Sequence, residues 1–126
     1  MSYLIDTVKV FESGKVQTHD PGAVIFRSGE QGTGMYGILA GEIEMQIDGQ
    51  TVETLTSGDV FGIGAIVHPD HLRASTAITK TACQLAYMDR EHFLFAVQQT
   101  PMFALEVMRS YSDRFRHLKA ATVKPS

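Results

Sequence analysis

All 11 glycines of this 126-residue chain lie between Gly14 and Gly64, and none follows in the rest of the second half. Glycine weakens regular elements and serves where the backbone must turn sharply. The first half must therefore be rich in turns and short segments, while the second half is free to form longer regular elements. That division predicts strands followed by helices. Apolar content of 44% and charged content of 20% are ordinary for a globular domain. The length suits one domain over 1–126, able to bury a core without a disulfide or a metal, with its core over about 16–118.

Local patterns fill in the strands. Asp20-Pro21-Gly22 is a turn between the runs Val16–His19 and Ala23–Arg27. Ser28–Gly34 is a glycine-rich loop, and Met35–Ala40 is an apolar strand ending at Gly41. Glu42–Ile47 alternates polar and apolar residues, as a half-buried strand does. Asp48-Gly49 supplies a two-residue hairpin turn leading into Thr51–Leu55. After the turn Ser57-Gly58-Asp59, the runs Ala74–Ile78 and Cys83–Met88 give two more strands. Short strands joined by tight turns predict a mainly β, antiparallel β-roll of about eight strands, a double-stranded, jelly-roll-like β-helix.

The period then changes. Asp89 can cap a helix running to about Gln99, with Phe93, Leu94 and Val97 on its inner face. Thr100-Pro101 opens a second C-terminal helix, with Thr as N-cap and Pro at the first helical position. Along it Ala104, Met108, Tyr111, Phe115 and Leu118 are spaced 4-3-4-3, a heptad seam. The seam suits packing on the roll or a homodimer interface. Arg109, Arg114, Arg116, Lys119 and Lys124 make this end mildly basic, read as a solvated face, and 120–126 as a frayed tail.

Composition excludes several classes. A net charge of −3 gives no general attraction to nucleic acid or anionic membrane. The single cysteine, Cys83, forms no intramolecular disulfide and sits in an apolar run as a small buried hydrophobe. No segment is long and apolar enough to span a bilayer, and no secretory leader is visible, so a cytoplasmic location is expected.

One stretch carries chemistry. Gly58-Asp59-Val60-Phe61-Gly62-Ile63-Gly64-Ala65 is a glycine-rich turn, and Arg73 follows after a short loop. Backbone N–H groups at such a turn, together with an arginine fork, form a small anion site suited to phosphate. The plainer reading makes Arg73 a surface residue paired with Asp70 or Glu53. The histidines His19, His68, His71, His92 and His117 show no metal-ligand spacing, and Pro69 keeps His68 and His71 off one helical face. His68–His71 is expected to be an exposed polar loop without a metal.

The runs Pro21–Glu30, Met35–Glu44 and Gly58–Gly62 resemble the cyclic-nucleotide-binding domain, in the form found as the sensor half of bacterial catabolite activator-type regulators. The resemblance covers about 16–118. It implies a phosphate-binding cassette in which Gly62, Gly64 and Ala65 furnish the turn and its N–H groups and Arg73 pairs with the phosphate. Ile63 then falls where that family places a ribose-binding Glu, and Ala74 where Ser or Thr follows the arginine. A lost hydrogen bond to a charged group is worth ~1.5–3 kcal/mol and an unpartnered buried hydroxyl ~1–3 kcal/mol. Together they imply roughly hundredfold weaker binding of cyclic AMP or cyclic GMP than an intact cassette gives. The resemblance also implies output through the C-terminal helices by population shift. The regulators carry a helix-turn-helix after the long helix, where this sequence stops, so direct DNA binding is not expected.

The expectation is therefore a small regulatory sensor signalling through partner contacts, with a cyclic nucleotide or another phosphate compound as its only candidate ligand. The alternative is a ligand-free protein-interaction scaffold of the same fold. An enzyme of the metal-dependent cupin type would need a His-x-His pair that this chain lacks, and no catalytic residues are assigned.

Overall fold

The computed structural model describes residues 4–122. In chain order the elements are α1 (Leu4–Val10), β1 (Gln17–His19), β2 (Val24–Phe26), β3 (Gly34–Ala40), β4 (Ile43–Ile47) and β5 (Gln50–Leu55). They continue with β6 (Val60–Phe61), α2 (Gly64–Val67), β7 (Thr76–Thr79), β8 (Cys83–Asp89), α3 (Arg90–Gln99) and α4 (Met102–Thr122). The strands form two four-stranded antiparallel sheets, ordered β1-β8-β3-β6 and β2-β7-β4-β5. This is the β-roll with C-terminal helices that the turn spacing predicts.

The hairpin between β4 and β5 forms as its residues require. Asp48 and Gly49 both take positive φ, 51° and 79°, the backbone of a two-residue hairpin turn that follows the strand twist. Ile43 and Met45 of β4 are buried while Glu44 and Gln46 are partly exposed. The buried pair joins Phe26, Ile38, Phe61 and Leu85 inside the roll.

β3 is buried on both faces. Ile38 points into the roll, whereas Met35 faces a second core that includes Leu4, Val8, Met88, Phe103 and Val107. That second core is where the helices attach. α1 is an addition to the sequence reading, which starts the core at residue 16. Its Leu4 and Val8 are buried and Phe11 packs beside them, an i, i+4, i+7 spacing that marks one helical face. At Gly37 a Cβ would lie 2.6 Å from Ile5 and 3.0 Å from Val8, so the missing side chain lets α1 rest on β3.

Several boundaries differ from expectation. β7 begins at Thr76 rather than Ala74, because residues 73–75 are held as a loop by bonds to the 28–30 segment. Asp89 caps α3 as expected, accepting from the His92 N–H at 2.8 Å. Leu94, expected inside, is exposed, and Ala96 fills the inner face instead. α4 starts at Met102, one residue past Pro101, and remains helical through Thr122 instead of fraying from residue 120. Lys124 and the rest of the expected tail lie outside the described residues. No helix among the described residues is long and apolar enough to cross a membrane.

Candidate functional site

Arg73 is the centre of the site, and it is not the surface residue of the plainer reading. It is only 6% exposed. Its backbone is pinned to the preceding glycine-rich loop: the Arg73 N–H donates to Glu30 O and the Gly29 N–H donates to Arg73 O, each at 2.8 Å. This pairing, extended by the bridge between Gln31 and Leu72, turns the side chain inward.

The guanidinium passes between two glycines. At Gly62 a Cβ would lie 2.7 Å from Nη1, and at Gly32 it would fall on the guanidinium itself. Gly62 also has φ of +86°, a conformation that L side chains rarely adopt. Nη1 donates to Gly62 O at 2.8 Å, the guanidinium carbon stands 4.1 Å from the Phe26 ring centre, and Nε is buried with no partner among the described residues. Neither expected carboxylate pairs with it. Asp70 accepts from the Leu72 N–H and Glu53 is taken by Arg114. Burial pulls the Arg73 pKa below the usual arginine value, opposed by the nearby tyrosines and Glu30. Burial likewise raises Tyr36, which Arg73 partly offsets.

Arg73 lines a recess of about 240 Å³. The structure brings Gly62, Ile63, Gly64, Ala65 and Ala74 to the same recess. Ile63 is half-buried and packs on the helical core, so it presents hydrocarbon where an acceptor would be needed for a sugar hydroxyl. Ala74 offers no hydroxyl. Ser75 does line the recess, because residues 73–75 are loop and the alternation expected of a strand does not apply.

Tyr111 and Arg114 of α4, with Glu53 of β5, close the site; the sequence placed Tyr111 in the heptad seam and Arg114 on a solvated face. Tyr111 Oη accepts from the Ile63 N–H at 3.1 Å. Arg114, expected on a solvated face, is a partly buried clamp: Nε and Nη2 donate to the two Glu53 oxygens at 2.9 and 3.2 Å, and Nη1 donates to Val60 O. Burial would lower the Arg114 pKa, but the bonds to Glu53 and the neighbouring Tyr111 outweigh it and raise the value. Burial raises Tyr111, with Arg114 opposing. The available signal was helical phase, since Tyr111, Arg114 and Leu118 follow one another at i, i+3, i+7.

The expected heptad seam divides accordingly. Tyr111 and Leu118 are half-buried against the recess, Ala104 is partly buried, and Met108 and Phe115 are 58% and 61% exposed. His68–His71 is exposed, with His71 Nδ1 bonded to Ala65 O. Cys83 is buried as expected.

Residues 16–100 match the cyclic nucleotide-binding domain. Similar proteins include a cAMP-dependent protein kinase regulatory subunit from Schizosaccharomyces pombe, 27% identical over 124 residues, which cover 92% of this chain and 30% of that protein. A cGMP-dependent protein kinase from Plasmodium berghei is 30% identical over 95 residues, covering 75% of this chain and 11% of that one. The chain thus spans less than a third of either relative. Among solved structures, the Thermus thermophilus catabolite activator protein superposes with a TM-score of 0.77 at 20% identity, over 96% of this chain and 58% of that one. A structure described as Sp-2Cl-cAMPS bound to PKAR CBD2 gives 0.71 at 21% identity, over 98% and 90%. At those identities the likeness is one of fold.

Proposed function

This chain belongs to the cyclic nucleotide-binding domain family, and from that premise we propose that it is a regulatory sensor whose recess takes a small phosphate-bearing ligand. It acts by binding, not by catalysis. The observation that carries this reading is Arg73: a buried guanidinium whose Nε has no partner, and which pairs with no carboxylate, among the described residues, in the wall of a recess. An unpaired buried cation costs stability, and an arriving anion would supply the charge-assisted bonds it lacks.

Cyclic AMP and cyclic GMP are the first ligands to test, given the kinases among the relatives. Ile63 and Ala74 provide no side-chain hydrogen bond, so cyclic nucleotides are expected to bind weakly, and other phosphate compounds are equally suited to Arg73. Calorimetry with cyclic AMP, cyclic GMP and inorganic phosphate tests this. Saturable binding that disappears in Arg73→Met supports the sensor.

A second reading, a ligand-free interaction scaffold, is favoured by the bond from Arg73 to its own Gly62 O. Folded protein that takes up none of these compounds at millimolar concentration would select it.

In either reading the proposed output is a protein contact in the cytoplasm. The exposed Met108 and Phe115 of α4 are the side chains of the predicted seam that a homodimer would use. Sedimentation of the Met108→Glu, Phe115→Glu double variant, compared with the parent chain, tests that contact.

A further inference from the structure

Resting on that reading, we propose that the ligand of the Arg73 recess is a phosphate monoester carrying one compact apolar group, and that the hydrocarbon wall around Ile63 selects it against phosphates borne on a sugar. The recess joins one anion-binding group to an apolar surface. Phe26, Met45, Ile63, Phe115 and Leu118 contribute hydrocarbon to its lining, and the Arg73 guanidinium carbon stands among them, 4.1 Å from the centre of the Phe26 ring. It measures about 240 Å³, below the roughly 300–1,000 Å³ of pockets for drug-sized ligands. That is room for one ring or a short branched chain beside the phosphate, and less than a base and a sugar need together.

The acceptors that sugar hydroxyls would need are already in use. Glu53 is the carboxylate of the lining, and both its oxygens accept from Arg114, at 2.9 and 3.2 Å. Tyr111 Oη accepts from the Ile63 N–H. The carbonyls along the two loops are engaged as well. Gly62 O accepts from Arg73 Nη1, Ile63 O and Gly64 O accept within α2, and Ala65 O is bonded to His71 Nδ1. Arg73 O accepts from the Gly29 N–H and Ala74 O from the Ser28 hydroxyl. Ser75 adds a single hydroxyl to the lining. Hydroxyls taken out of water without partners weaken binding, whereas apolar surface buried on Ile63 and Leu118 strengthens it.

Calorimetry of the full chain with phenyl phosphate, ribose 5-phosphate and inorganic phosphate tests this, because the three share a phosphate head and differ in what it carries. Phenyl phosphate is expected to bind about tenfold or more tighter than either of the others, and Arg73→Met to lose it. Ile63→Gln places a hydrogen-bonding amide in the wall and should narrow the preference for phenyl phosphate over ribose 5-phosphate by about threefold or more. Leu118→Ser, near the exposed end of α4, should narrow it similarly, and it carries the test if Ile63→Gln fails to fold. Ribose 5-phosphate or inorganic phosphate binding as tightly as phenyl phosphate overturns the proposal, as does a preference unchanged in the folded variants. Binding of cyclic AMP without binding of phenyl phosphate also overturns it, while the Arg73-dependent sensor still stands. Absence of binding of all four compounds to the folded parent overturns the ligand-sensing reading, and the proposal with it.

Discussion

The Arg73 guanidinium carbon stands 4.1 Å from the centre of the Phe26 ring, while its Nε is buried without a partner among the described residues. A cation over an aromatic face gains about 0.5–2 kcal/mol, less than the several kcal/mol that desolvating an ion costs. The bond to Gly62 O recovers part of the difference. On this balance the Arg73 side chain contributes little to holding the fold, as the proposed binding role requires.

Replacing Arg73 with Met removes the buried charge and the orphan donor while keeping an unbranched apolar stem. Arg73→Met is expected to be at least as stable as the parent, by up to about 2 kcal/mol, as replacement of buried ionic groups by apolar ones often is. Urea unfolding monitored by circular dichroism checks this. A loss of stability beyond about 1 kcal/mol would mean that the guanidinium is structural.

Gly32 tests the path of the same side chain. A Cβ there would fall on the guanidinium, and the Gly32 N–H itself donates to His71 O. Gly32→Ala should lower stability by about 1–3 kcal/mol, the usual cost of overpacking, and should abolish Arg73-dependent phosphate binding. The double variant Gly32→Ala, Arg73→Met should recover most of the lost stability, because the three atoms nearest that Cβ all belong to the Arg73 side chain. Failure to recover would place the strain elsewhere.

Asp89 links β8 to α3. The His92 N–H, chiefly, holds the Asp89 carboxyl below the usual carboxylate value; burial opposes it, and the His92 ring and the Ser13 hydroxyl add to the lowering. A lowered folded pKa means that this stability is complete above the unfolded value of about 3.9 and is lost as pH falls through the folded value. Asp89→Ala should cost about 1 kcal/mol at pH 7, as loss of an N-cap does. The gap between parent and variant should shrink as the pH drops toward 3 in thermal melts. A gap independent of pH would remove the cap as its cause.

The roll was readable because its signals are local. Asp48-Gly49 fixes a hairpin whatever surrounds it, and Glu42–Ile47 carries its own alternation. The missed parts are those set by distant partners. α1 is seven residues long, too short to hold as an isolated helix, and depends on the space above Gly37. Arg73 could be placed at the site from its position after the glycine turn. Its burial could not, because that depends on pairing with residues 29–30, more than 40 positions earlier in the chain. Arg114 looked like one more surface cation until the fold set Glu53 opposite it, 61 residues away.

β3 and β8 form the wall between the two cores, with Ile38 and Leu85 on the roll side and Met35 and Met88 on the helix side. Loss of either strand would expose both cores at once. The roll and the helical layer therefore have no route to independent melting, and the chain should lose its structure in one cooperative step, with the backbone amides of these two strands the last to exchange with solvent.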